Sequence, residues 1–388
     1  MLTKIAKKHN ELIQKIRREL HQIPELGFQE FKTTQYICDF LDKNNINYKK
    51  LDPTGALATI NGELEGKTIA IRADIDALPI KEDNNLPFKS KHDGIMHACG
   101  HDAHTAVALV LAKILQENKK TLPGIVKIIF QPNEEGTPSG APHIIKQGIL
   151  ENPDVDIIYG FHISTDIPHG KIGIKPGIAS SYVHNFNVEL ISKGTHAASP
   201  HESPDPIVVA AQIITTLQTI ASRFNNPLYP FVLTIGEIRG GTARNIITSK
   251  VYFNGTIRMT NPAKKEEVKN QFYDIIYGFA RAFKVNVKID YWESCPGIIN
   301  DKELSKKLLN IATETFGKNC AVEIENPSLG ADDFAFYLEK TKGIYFRFGV
   351  YDEEFGSIYA GHTSKFIIPD TKLYRALLTY LKLIYESN

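Results

Sequence analysis

The chain is poor in everything that staples, anchors or steers a protein by charge. Four cysteines (Cys38, Cys99, Cys295 and Cys320) are scattered through 388 residues, which argues against a disulfide framework, and a chain this long does not need one. Lys and Arg total 45 against 44 Asp and Glu, a formal net charge of +1. No field of one sign therefore draws the chain to nucleic acid or to an anionic membrane. No window approaches the roughly 20 apolar residues of a membrane span, and the opening MLTKIAKKHNELIQKIRREL alternates charged and apolar residues without a signal-peptide core. Repeats, low-complexity tracts and charge blocks are also missing. A cytoplasmic protein working on a small molecule is the expectation.

At roughly 100 to 200 residues per domain, the length predicts two domains. Ile5, Leu12, Ile13, Ile16 and Leu20 place a helix over 4–20, and Phe31, Ile37, Phe40 and Leu41 mark a second that ends near Asn44. Short apolar runs at 68–71, 125–130, 155–159 and 344–348 alternate with helical stretches such as 103–117, the pattern of an α/β sheet layer. From 183 to 292 the pattern changes to strand (186–191), helix (206–224), strand (232–238), strand (251–258), helix (264–283) and strand (285–292). This β-α-β-β-α-β order is the split, ferredoxin-like motif. The fold class predicted is α/β with a ferredoxin-like domain over 183–292, inserted into a discontinuous domain made of 1–182 and 293–388.

The densest chemistry lies in Met96-His97-Ala98-Cys99-Gly100-His101-Asp102-Ala103-His104-Thr105. Cys99 and His101 are two apart, so in an extended segment both point to one side, as two ligands of one metal must. Thiolate and imidazole suit zinc, and imidazole also suits other transition metals. A free cysteine beside surface histidines is the plain alternative. His97 and His104 are expected to support the site rather than ligate, and Asp102 either caps the helix starting near Ala103 or does the same. The pair Glu134-Glu135 follows a strand that should be buried, where adjacent carboxylates repel unless a cation is close. One can ligate a metal while the other takes a proton from the attacking water; a solvated acidic turn is the alternative. Asp76, in Arg72-Ala73-Asp74-Ile75-Asp76, can orient a ligand histidine or the base, whereas Arg72 and Asp74 read as an ion pair. His162 ends a strand that otherwise wants no polar group, and reads as a ligand. The surroundings of His362, Ala360-Gly361-His362-Thr363, indicate only a loop. In the inserted domain, His196 sits in a turn and Arg244-Asn245 follows Gly240-Gly241. These can polarise a carbonyl and hold a substrate carboxylate, with ordinary loop polarity as the alternative. His9, His21, His92, His143, His169, His184 and His201 read as surface.

RADIDALP (72–79), MHACGHDAHT (96–105), FQPNEEG (130–136), GFH (160–162), KGTHAASP (193–200) and GHTSKF (361–366) together resemble the M20 metallopeptidases, in their amidohydrolase branch. That branch includes hippurate hydrolases, N-acetyl-diaminopimelate deacetylases and plant auxin-conjugate hydrolases. The resemblance implies a mixed-sheet catalytic domain with two divalent metal ions per subunit, Zn or Mn first and Co or Ni next. It also implies that the inserted domain is a lid and dimerisation domain. Carried over by position, it makes Cys99, His101, Glu135, His162 and His362 the metal ligands, Glu134 the general base and Asp76 the aspartate beside the metals. His196 becomes the lid histidine that can reach a neighbouring subunit's site and stabilise the oxyanion, and Asn245 the lid asparagine for the substrate carboxylate. Asn133 stands where Ala is usual, Thr195 where Gly is common, Ala331-Asp332-Asp333-Phe334 departs twice from Ser-Glu-Asp-Phe, and Thr363-Ser364 replaces a frequent His-Pro. The activity implied is hydrolysis of the amide bond of N-acyl amino acids or short peptides by a homodimer or higher oligomer. A dipeptidase or carboxypeptidase, with Asn245 and Arg258 on a terminal carboxylate, is the alternative, and a non-catalytic metal-stabilised binding protein the remote one.

Overall fold

The structure, a computed structural model, describes residues 1–387. The chain divides into two compact units, one made of 1–177, 299–326 and the segment from Asp333 on, the other of 178–298 with 327–332.

The first unit is built on a mixed sheet whose strands, in chain order, are β1 (Asn47–Lys50), β2 (Ala56–Asn61), β3 (Leu64–Asp74), β4 (Pro123–Gln131), β5 (Ile157–Pro168), β6 (Ile172–Ile174), β7 (Ala321–Glu323) and β8 (Lys342–Tyr351). Their order in space is β1-β2-β4-β3-β5-β8-β6-β7. β4, β3, β5 and β8 run parallel at the centre, while β2 and β6 join antiparallel. The central strands are continuous apolar runs because both faces are covered, which is why they were legible as short hydrophobic blocks. β1, by contrast, is polar and mostly exposed, so apolar runs could not reveal it. Against the sheet lies the helix His101–Glu117, buried without a break from His101 to Ala112, together with Tyr374–Glu386. The predicted helix over 4–20 is two helices, Leu2–Lys8 and Asn10–His21, separated at His9, whose ring is hydrogen-bonded to the Ile5 carbonyl.

The second unit has the predicted ferredoxin-like form. Its antiparallel sheet runs Phe231–Gly240, Lys250–Met259, Tyr182–Ile191, Asn286–Cys295, and the helices Pro206–Thr219 and Lys265–Phe283 pack on one face around Phe186, Phe253 and Phe272. The helical stretch Pro206–Phe224 corrects one expectation, because its 19 residues are long and apolar enough for a membrane span by composition. Val209, Ala210, Ile213, Leu217 and Ile220 lie in the core of this unit, whereas Ile207 and Val208 are exposed.

Candidate metal centre and hydrolytic site

The site of the first unit gathers at the carboxyl ends of β3 and β4, where open α/β sheets place ligands, and beside the middle of β5. His162 does not end its strand, as its short apolar run suggested, because β5 continues six residues further to Pro168. Cys99 precedes the helix His101–Glu117, whose N-cap is Gly100 in the left-handed region at φ 82°. A side chain would be strained at this φ, and its Cβ would stand 2.3 Å from Ile163 Cδ1, so the turn favours glycine. The proximity of Cys99 and His101 therefore comes from a left-handed turn and not from extended alternation, which corrects the sequence argument. Cys99 Sγ lies 3.2 Å from His162 Nε2, and His362 Nε2 lies 3.1 Å from Glu135 Oε1. His362 reaches the site because its backbone N–H donates to the Ala98 carbonyl at 2.9 Å. Donor atoms of Cys99, His101 and His162, of Cys99, Glu135 and His362, and of His101, Glu134 and Glu135 each lie within 4.8 Å of one another. All five sequence-predicted ligands and Glu134 are thus brought together.

The hydrogen bonds orient these groups. His101 Nδ1 is shared between the Asp76 backbone carbonyl at 3.0 Å and Asp76 Oδ1 at 3.1 Å, while Asp76 Oδ2 accepts from the Glu135 backbone N–H at 3.0 Å, so this one residue fixes both a histidine and the acidic loop. His101 Nε2 is left buried with no hydrogen-bond partner, 3.8 Å from Asp74 Oδ2 and 3.9 Å from both Glu134 Oε2 and Glu135 Oε1. Burial opposes charge on this imidazole, but the Asp74 charge and the Asp76 hydrogen bond win, holding its pKa well above the ordinary value. A buried nitrogen facing three carboxylates fits a cation that replaces a proton there. Burial pushes the Cys99 thiol up to about 12, so it becomes a thiolate only beside a cation. Burial, with His104 and Arg347 nearby, keeps His162 well below its ordinary range and hence neutral, as a metal-binding imidazole is.

Beneath these groups Arg72 and Asp74 pair as expected. Arg72 also donates to Asp333 Oδ1 at 2.6 Å and to Gln131 Oε1 at 2.8 Å. Asp333 accepts further from Gln131, Ser139 and the Ala141 N–H. His104 is a support, with Nδ1 2.6 Å from Asp74 Oδ1 and Nε2 accepting from the Ile163 N–H at 3.1 Å. Asp102 is not the helix cap: it accepts from Arg17 Nε at 3.1 Å and lies 2.9 Å from His21 Nδ1. His21, at 2% exposure, is therefore core and not surface, and His184 and the ring of His169 are buried as well. Sequence reasoning missed Glu30, fully buried, which accepts from the Asn133 N–H at 2.8 Å and from Thr54 Oγ1 at 2.6 Å and so anchors the loop carrying Glu134. No local periodicity marks it.

In the second unit, Thr195–His196 and Ile246–Ile247 form a two-residue antiparallel ladder, and the Ala197 N–H donates to the Asn245 carbonyl at 3.0 Å. His196 and Asn245 are thereby neighbours, both exposed. His196 Nδ1 accepts from the Ala198 N–H at 3.0 Å, which leaves Nε2–H pointing away as a donor. Arg258 donates to the Leu329 carbonyl at 2.8 Å.

Comparison with known proteins identifies the family. Residues 70–386 match the model of peptidase family M20/M25/M40. The chain is 39% identical to the N-acetyl-L-cysteine deacetylase of Bacillus subtilis (strain 168), over 96% of this chain and 88% of that protein. It is 35% identical to thermostable carboxypeptidase 1 of Saccharolobus solfataricus, over 96% of this chain and 94% of that one. The crystal structure of the Bacillus subtilis YXEP protein, a dinuclear metal binding peptidase of the M20 family, superposes with a TM-score of 0.85 at 32% identity, covering 98% of each chain. The chain belongs to peptidase family M20/M25/M40 and is a metal-dependent hydrolase of amide bonds.

Proposed function

We propose that this hydrolase cleaves the amide bond of N-acyl amino acids, with Glu134 as general base. The observation that carries the reading is the buried, unpartnered His101 Nε2, set among Asp74, Glu134 and Glu135 and held by Asp76. Two divalent cations held by Cys99, His101, Glu135, His162 and His362 would supply Lewis acidity to the scissile carbonyl and acidify the attacking water. Glu134 takes the proton from that water and returns it to the leaving amine. Asp76 keeps the His101 lone pair aimed inward and fixes the backbone beside Glu134. His196, with Nε2–H free to donate, stabilises the oxyanion, and Asn245 with Arg258 holds the substrate carboxylate. His196 acts across a dimer in this reading. A His196→Ala chain mixed with a Glu134→Gln chain should recover activity, and silence in verified heterodimers would remove that part.

The likeness to an N-acetyl-L-cysteine deacetylase supports an N-acyl amino acid as substrate, and the likeness to a thermostable carboxypeptidase favours a peptide as the second reading. Release of free amine from N-acetyl amino acids, N-benzoyl amino acids and dipeptides separates the two. It should be measured as isolated, after chelation, and after Mn or Zn is restored. Metal-restored turnover of an N-acyl amino acid above any dipeptide is expected, and the reverse order would replace this reading with the peptidase.

A further inference from the structure

Five arginines belong to the first unit, at 17, 18, 72, 347 and 375. Arg17 and Arg18 pair with Asp370, Arg72 with Asp74 and Asp333, and Arg375 donates to the Gly170 carbonyl at 2.9 Å. Arg347 differs from all of them. It is partly buried, yet among the described residues its side chain has no hydrogen-bond acceptor and no carboxylate at ion-pair distance. Its one close contact is aromatic, with the guanidinium carbon 5.2 Å from the centroid of the Tyr345 ring. Tyr345 is itself stacked on Phe334, with centroids 4.6 Å apart and planes at 18°. The neighbouring strand makes room for this stack at Gly160, where a Cβ would stand 2.7 Å from Phe334 Cε2 and 2.8 Å from Tyr345 Cδ2.

The position of Arg347 links the platform to the hydrolytic site. In the parallel ladder of β8 and β5, Arg347 is the register partner of His162. Phe346 and Phe348 on β8, and Phe161 and Ile163 on β5, all point into the core. Alternation then sends Arg347 and His162 together to the opposite face, one strand spacing, about 4.8 Å, apart. A guanidinium already ordered on an aromatic ring has lost part of its rotamer freedom, and its planar fork of donors matches a carboxylate two bonds at a time. Beside a site built to hold cations, such an unpaired guanidinium is better accommodated when an anion arrives with the substrate.

We propose that Arg347 is a specificity residue that binds a carboxylate of the substrate next to His162, so that the enzyme selects anionic N-acyl amino acids over neutral amides. The inference rests on the reading of His162 as part of the hydrolytic site. Because the proposed function already gives the amino-acid carboxylate to Asn245 and Arg258, Arg347 either takes a second carboxylate on a dicarboxylic acyl half or replaces them on the first, and paired substrates tell these apart: N-succinyl against N-acetyl on one amine, and N-acetyl amino acid against its carboxamide.

Wild type, Arg347→Leu and Arg347→Lys are compared in metal-loaded form, and binding of succinate and of the free amino acid is followed by calorimetry with and without metal. Arg347→Leu should raise KM for the anionic member of one pair about 10- to 100-fold, with kcat nearly unchanged, and leave the neutral member untouched. Arg347→Lys should recover part of the loss, and the matching free carboxylate should bind Arg347→Leu more weakly by a similar factor. Equal losses on both members of each pair, or unchanged KM and carboxylate binding, would overturn the assignment. If wild type hydrolyses no N-acyl amino acid but still binds the carboxylate more tightly than Arg347→Leu, the substrate reading fails and the Arg347 assignment stands.

Discussion

Asp76 offers the sharpest single perturbation, because its two oxygens do two jobs. Oδ1 accepts from His101 Nδ1 at 3.1 Å, and Oδ2 accepts from the Glu135 N–H at 3.0 Å. In Asp76→Asn the side chain has nearly the same shape but only one oxygen, so whichever way the amide turns, its NH2 faces one of the two donors. One hydrogen bond to a charged group is lost, which is about 1.5–3 kcal/mol. Loss of such an orienting partner typically weakens metal binding 10- to 100-fold, or about 1.4–2.7 kcal/mol, and because the Asp76 backbone carbonyl still accepts from His101 Nδ1 at 3.0 Å the lower end, about 10-fold, is expected. The assay is Zn or Mn affinity by competition with a chromophoric chelator, beside kcat at saturating metal. Asp76→Ala, which loses both side-chain bonds and leaves His101 only the backbone carbonyl, should be weaker still. An Asp76→Asn protein with wild-type metal affinity would refute the argument that this carboxylate aims the His101 lone pair.

Two other perturbations test the groups beneath the site. Arg72→Met leaves Asp74 and Asp333 buried with their cation gone, and chemical denaturation should show a loss of about 3–5 kcal/mol; a loss under about 1 kcal/mol would mean the pair is dispensable. Glu30 tests pH dependence. Burial pushes its carboxyl from 4.5 up to about 7, so the folded chain holds a proton that the unfolded chain releases. Stability should therefore fall as pH rises from about 4.5 through 7, by about 3 kcal/mol over the window. Glu30→Gln cannot lose that proton, so its melting temperature should gain on wild type as pH is raised from 5 to 8, and parallel curves would contradict the assignment.

The parts of the site written in rare, closely spaced residues were legible in the chain. Cys99, His101, Glu134 and Glu135 declare themselves because cysteine, histidine and paired acids are seldom set together beside apolar strands. The ferredoxin-like unit was legible too, since each element keeps one period over six or more residues. The supporting network was not legible, because its partners are remote in sequence: Arg72 meets Asp333 across 261 positions, Arg17 meets Asp102 across 85, and Glu30 meets Asn133 across 103. No local pattern encodes such a pairing, and an isolated histidine such as His21 reads like a surface residue until its carboxylates arrive. Asp102 misled for a related reason. An aspartate at a helix start is usually a cap, but here the cap is Gly100 and the carboxylate is turned toward Arg17 and His21.

The central claim is that Glu134 moves the proton while its neighbours hold the metals. Its most direct test is Glu134→Gln, measured for metal content and for single-turnover hydrolysis of the best N-acyl amino acid. The account predicts two bound divalent ions with turnover lowered by about 10²- to 10⁴-fold. Near-normal turnover, or a protein that no longer holds its metals, would contradict it.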